Sequence, residues 1–228
     1  MHYFIFPEKD ATIFEASSSV NSGMDEILEI RKNVSDTGAS VDVSRILMKF
    51  DTTYFQEASA SGLIPHSGSR AAKYYLNLYD ANPKALATSQ SLYAYPVSGS
   101  WDMGTGRSYD NPQTADGCSW KYRYSETNGT LWASGSGAED GAGGIWYTSS
   151  VAPAASASLN YQTRDLKIDV TGTVNSWLNG TIVNDGFLVK RSGSVGNNHP
   201  SASEGNTDRL GNFSFFSSNT HTIFPPTL

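Results

Sequence analysis

The sequence predicts an all-β protein, a jelly-roll-like β-sandwich with one short helix and long Trp- and Gly-rich loops. Three observations carry that expectation. Several short segments alternate apolar and polar residues with the period of a half-buried strand. Only 17% of the residues are charged, the polar remainder being largely the Ser, Thr, Asn and Gly that suit exposed strand faces and turns. Residues 166–191 pass from strand to helix to strand within 26 positions, with no catalytic machinery in between. At 228 residues and 38% hydrophobic content, the chain is long enough to bury a large core as one domain, residues 1–228.

The elements follow in chain order. Met1 to Phe6 opens apolar and predicts a first strand; it lacks the basic start and the long apolar run of a signal peptide or membrane span. Ile27-Leu28-Glu29-Ile30-Arg31 and Ile46-Leu47-Met48-Lys49-Phe50 predict strands that pair as neighbours around a polar loop turning at Gly38. Asp51-Thr52-Thr53 caps a single helical turn through Gln56. Residues 74–79 predict a strand with Tyr74, Leu76 and Leu78 on one face and Tyr75, Asn77 and Tyr79 on the other, and residues 92–97 repeat the pattern with Tyr93 and Tyr95 together.

From 98 to 150 the alternation fades, and Trp101, Trp120, Trp132 and Trp146 stand among glycines. A structureless stretch of that length is improbable in a compact domain, so short strands such as 119–124 and loops pinned by tryptophans are expected, with residues 135–144 as a mobile tip. Leu166, Ile168 and Val170 then alternate as a strand. Val170, Val174, Trp177 and Leu178 shift to helical spacing, with Thr171 as N-cap and Gly180 as the stop. Two turns hold in water only when packed, so Trp177 is expected in the core. Residues 186–190 form an almost wholly apolar strand after the Asn184-Asp185-Gly186 turn, and Phe213, Phe215 and Phe216 mark another. Residues 223–228 look like the entrance to a last strand whose body lies beyond Leu228, leaving an open sheet edge or one filled by a neighbour.

Charge and composition exclude several functions. A net charge of −6 with scattered Lys and Arg opposes a nucleic-acid partner, whose phosphates need a basic face, and an anionic membrane as well. Cys118 is the only cysteine, so neither an intrachain disulfide nor a thiolate metal cluster is available. His2, His66, His199 and His221 show no ligand spacing, and no GxSxG elbow is present. Asp102, Asp110, Asp116, Glu139 and Asp140 are the carboxylates from which a glycosidase pair would have to be drawn. No cofactor is expected, with one exception: loops rich in Asp and Asn suit Ca²⁺, and Asp185 and Asp208 are its candidate ligands. Stacking on sugar rings needs aromatic platforms, for which Trp101, Trp120, Trp132, Trp146, Tyr75 and Tyr79 are the candidates.

Blocks in a fixed order resemble the DNRLRE-domain family. They are residues 45–51, 72–81, 101–106 and 117–120, then Asp169-Val170-Thr171 with Trp177, and finally residues 186–190. Where that family carries its naming motif this chain reads Asn206-Thr207-Asp208-Arg209-Leu210-Gly211-Asn212-Phe213, a partial match. The resemblance implies a jelly-roll module of surface or secreted proteins, in which Asp169, Thr171, Trp177, Asp208 and Arg209 hold structure, Arg209 locking a strand end through a carboxylate. The variant with Trp101-Asp102-Met103-Gly104-Thr105-Gly106 and Phe215-Phe216-Ser217-Ser218 is similar to virion structural proteins of tailed bacteriophages. It implies a non-enzymatic tail, neck or fibre module in the virion, assembled in the host cytoplasm and then extracellular. Its expected partners are other virion proteins or copies of itself, together with host-surface polysaccharide. The alternatives are a carbohydrate-binding module of a surface or secreted protein and a polysaccharide-degrading enzyme.

Overall fold

A computed structural model describes residues 2–38, 41–65, 71–82, 89–125, 129–132, 142–148, 150, 154–160, 164–193 and 203–228. Ten strands and two helices follow in order: β1 (Pro7–Phe14), β2 (Ile27–Ile30), β3 (Lys32–Val34), β4 (Val41–Phe50), α1 (Thr53–Ala60), β5 (Tyr75–Leu78), β6 (Gln90–Pro96), β7 (Ala155–Leu159), β8 (Leu166–Asp169), α2 (Thr171–Leu178), β9 (Phe187–Lys190) and β10 (Phe213–Phe216). The protein is an all-β sandwich with two short helices among the described residues, α1 extending to Ala60 the single turn that the sequence predicts after Asp51. Among the described residues no helix is long and apolar enough to cross a membrane.

The larger sheet runs β1-β4-β9-β6-β7, antiparallel throughout, with β3 also on β4. The second layer is assembled from two ladders, β10 with β2 and β5 with β8, joined where Asp80 bridges Phe215. Between the layers lies the main core. Ile46, Met48 and Phe50 of β4, Phe187 and Val189 of β9, and Leu92 of β6 meet Leu76 and Leu78, Ile168 and Phe215 from the other side. Both helices close this core at one end, with Trp177 only 4.7 Å, ring to ring, from Phe187.

The opposite face of the larger sheet is buried as well. Ala11, Ile13, Val43, Leu47 and Leu188 point outward into a second core roofed by Trp101, Trp120, Trp132, Trp146 and Cys118. That third layer explains the unbroken apolar run of β9: a strand covered on both faces has no solvent side on which to place polar residues. It also explains why residues 98–148 look irregular in sequence. Their described residues form a lid in which Tyr122 and Leu131 make an isolated bridge in place of the expected strand at 119–124. The expected tip at 135–144 lies mostly outside the described residues.

Three local expectations change. Residues 27–31 and 46–50 do not pair: β2 joins β10, and the chain changes layers at Arg31, whose backbone exchanges bonds with the Ser44 hydroxyl and amide. The first strand starts at Pro7, and of the preceding residues Ile5 bonds both ways with Leu228. Thr171 is not the N-cap of α2. Val170 holds that position, Asp169 accepts the Thr171 amide at 3.0 Å, and the Thr171 hydroxyl accepts the Tyr74 amide at 2.9 Å, tying helix to β5. Gly180 does end the helix at φ +69, with its N–H on the Trp177 carbonyl and that of Thr181 on Ser176, the paired bonds of a Schellman stop.

Candidate functional site

The four loop tryptophans are core. Trp132 is fully buried, the other three expose 2–6% of their surface, and the indole N–H groups of Trp132 and Trp101 donate to the carbonyls of Ser119 and Asp185 at 2.9 Å. Their ring faces are covered by the sheet they roof, so none can stack on a sugar. Two cations complete that packing. The Arg45 guanidinium lies 4.6 Å from the Trp120 ring centre, and the Lys190 ammonium 5.2 Å from that of Trp146; buried cations gain from the electron-rich faces of indoles. Both also meet Glu204, itself 1% exposed. This buried triad was not foreseen; its one sequence sign is an arginine at a position of β4 where the alternation asks for a buried residue.

The family-motif residues lie elsewhere. Arg209 reaches Asp36 at 3.3 Å, but the Asp36 side chain is fully exposed, so solvent screens the pair and it does not lock a strand end. Asp208 accepts from the Asn206 amide at 2.8 Å. Asp185 faces Lys49, Lys9 and Arg123 rather than other acids, and burial pushes its carboxyl up. Among the described residues no three His, Cys, Asp or Glu side chains converge on a common point. Asp110 and Asp116 accept backbone N–H groups within their own loop, from Arg107 and Thr105; His66, His199, Glu139 and Asp140 lie outside the described residues.

The tyrosines have a different fate. Tyr75 and Tyr79 lie on the outer face of β5 and border a cleft of about 890 Å³. One wall is the N-terminal segment with the first turn of α1, where Tyr3 stacks on Tyr54 at 5.0 Å and meets the edge of Phe55. The opposite wall is β5 with its approach, Lys73 to Asn77, and Lys167 of β8, whose ammonium stands 4.6 Å from the Tyr75 ring centre. Ala58 and Ile64 line the interior, and Leu228 lies at one end.

Two features mark the cleft. Its mouth is apolar and solvent-exposed: Tyr3, Tyr54 and Phe4 are at least half exposed and Leu63 is 77% exposed. Among the described residues its charged lining side chains are Lys73 and Lys167, with His2 beside them, on a protein of net charge −6. A second, shallower hollow of about 510 Å³ holds Asp25, Glu26 and Glu29. There Asp25 accepts the Ser108 amide and Glu29 pairs with Arg31, so both are engaged in structure. No protein-family model matches this chain, and no curated protein does.

Proposed function

We propose that this protein is a non-enzymatic structural module that docks another polypeptide within a larger assembly, with the cleft beside β5 as its docking face. The observation that carries the reading is the contiguous exposed apolar surface of Tyr3, Phe4, Tyr54 and Leu63 around a cleft in an otherwise polar, acidic sandwich. Such patches on a soluble domain mark protein contacts. The resemblance to DNRLRE-type virion proteins suggests the assembly: a tailed-phage particle, in its tail, neck or fibre.

The test is size-exclusion chromatography with light scattering beside a glycan array. A defined oligomer or a saturable protein partner that Tyr54→Asp and Leu63→Asp abolish supports the reading. A monomer that binds no protein overturns it. A second reading, contact with a polysaccharide, rests on the outward rings of Tyr75 and Tyr79 beside Lys167; array binding lost in Tyr79→Ala favours it.

A further inference from the structure

Lys32 of β3 is only 3% exposed, and a lysine so buried is rare unless an acid pairs with it. Its ammonium donates instead to two neutral oxygens, the Ser203 carbonyl and the side-chain Oδ1 of Asn206, a residue 174 positions along the chain. The loop that brings Asn206 there is held on both sides. Glu204 sits in the buried triad, with its amide donating to the Ser192 carbonyl at 2.9 Å, and the Lys32 amide donates to Asn212 Oδ1 at 3.0 Å. One residue orients the carboxamide itself. Asp208 donates its backbone N–H to Asn206 Oδ1 at 3.2 Å, and its carboxylate accepts from Asn206 Nδ2 at 2.8 Å. An amine, an amide carbonyl, a donor on the carbonyl oxygen and an acid group on the amide nitrogen thus meet at one point, the constellation that acyl transfer needs.

Independently of the docking face, we infer that Lys32 and Asn206 join in an intramolecular isopeptide bond, with Asp208 carrying the protons. The amine attacks only as the neutral base, and burial, followed by the nearby Arg191 guanidinium, pushes the Lys32 ammonium down. Asp208 takes one proton from it. The Nζ lone pair then forms the bond to Asn206 Cγ, and the carbonyl electron pair moves onto Oδ1, where the Asp208 N–H holds it. As that pair returns, the Cγ–Nδ2 bond breaks, its electrons leave on Nδ2, and Asp208 delivers its proton there. A second proton passes from Nζ through the same carboxylate to the departing ammonia. One secondary amide remains, one ammonium ion is released, and no oxidant or cofactor is consumed. The fold supplies the encounter, which for a free side-chain amine and amide in water is improbable. Asp208 lies exposed at the surface, which gives the ammonia a way out. The product fastens β3 to the loop before β10 and closes a long stretch of chain covalently, restricting the unfolded state.

The test is the intact mass of the full chain under denaturing conditions, with tandem mass spectrometry of its tryptic digest. Expected are a mass lower than that of the sequence by one ammonia, no cleavage after Lys32, and a branched peptide joining Lys32 to Asn206. Lys32→Arg and Asn206→Ala keep their full sequence masses, and in freshly synthesised chains Asp208→Asn slows the linking by roughly a hundredfold. The full sequence mass in the folded parent protein after days at neutral pH overturns the bond, whether or not any variant folds. An ammonia loss that persists in Lys32→Arg, or that the spectra place at an asparagine succinimide, overturns it too. Linking of Asp208→Asn at the parental rate overturns the part given to Asp208.

Discussion

Arg45 and Glu204 are 159 residues apart in the chain and face each other through two N–H···O bonds of 3.2 and 2.8 Å inside the tryptophan-roofed core. Lys190 donates to the same carboxylate at 2.9 Å, and Arg45 also reaches the Gly143 carbonyl at 2.6 Å. One acid thereby holds β4, β9 and the loop before β10 together. Removing a partner from such a site strands a charge in a medium that cannot solvate it. Glu204→Gln is expected to cost about 3–5 kcal/mol in urea unfolding, whereas the triple change Arg45→Met, Lys190→Met and Glu204→Leu, which removes all three buried charges, costs less than the single change. A triple variant as unstable as Glu204→Gln would show that packing, not the stranded charge, sets the cost.

Trp132→Ala is expected to destabilise by about 3–5 kcal/mol, the range for deleting a large buried ring. Tyr54→Ala, on the open mouth of the cleft, changes stability by no more than about 0.5 kcal/mol. Denaturant midpoints of the two variants separate a roof residue from a docking residue. Because all five tryptophans are buried, their emission is expected to be insensitive to acrylamide and to added polysaccharide.

These contrasts bear on how far the sequence could be read. Strands whose two faces differ in environment, such as residues 74–78, show their alternation plainly, and the stop at Gly180 has a purely local chemistry. β1 is hidden because its inner face carries Asp10 and Thr12, buried against Ser218, Ser22 and the Glu29 amide rather than against apolar side chains. The tryptophans mislead for a related reason: a ring among glycines reads as a loop platform until a sheet face distant in the chain is known to lie beneath it. Of the cleft, Tyr75 and Tyr79 are legible from strand pattern. Tyr3, Tyr54 and Leu63 come from segments that only tertiary folding brings to one mouth.

Gly186 precedes β9 at φ +95, and a Cβ there would overlap the Met48 carbonyl oxygen. Both the backbone conformation and the space demand glycine. Gly186→Ala is expected to lower stability by more than about 1 kcal/mol, beyond the usual cost of αL strain alone, as read by thermal unfolding. An unchanged midpoint would show that β9 can shift along β4 without loss.

Asp10, 1% exposed on β1, accepts the Ser218 amide at 2.8 Å and its hydroxyl at 2.9 Å. Burial outweighs both bonds and pushes its carboxyl up to about 6, against about 3.9 in the unfolded chain. The folded state therefore binds the proton more tightly. Stability from this group is fully present below about pH 4 and falls as pH rises to about 6, by roughly 3 kcal/mol. Asp10→Asn removes the charge at constant volume. Its urea midpoint is expected to exceed that of the parent protein by a margin that is small near pH 4 and widens to a plateau above about pH 6. A margin independent of pH would assign the effect to altered hydrogen bonding with Ser218.

Cys118 sits beneath the same roof, fully buried, its amide donating to the Asp102 carbonyl at 2.7 Å. Burial pushes the thiol up to about 12, so only about one thiol in ten thousand is ionised near pH 8, and only the thiolate is nucleophilic. Reaction with Ellman's reagent is therefore expected to await opening of the tryptophan layer, with one thiol per chain released in guanidinium. Because Trp120, Trp132 and Arg45 hold that layer, Glu204→Gln should accelerate the native-state reaction, and by more than Tyr54→Ala does. Equal rates in the two variants would mean that the thiol is reached by local fluctuation of residues 117–120 rather than by opening of the roof.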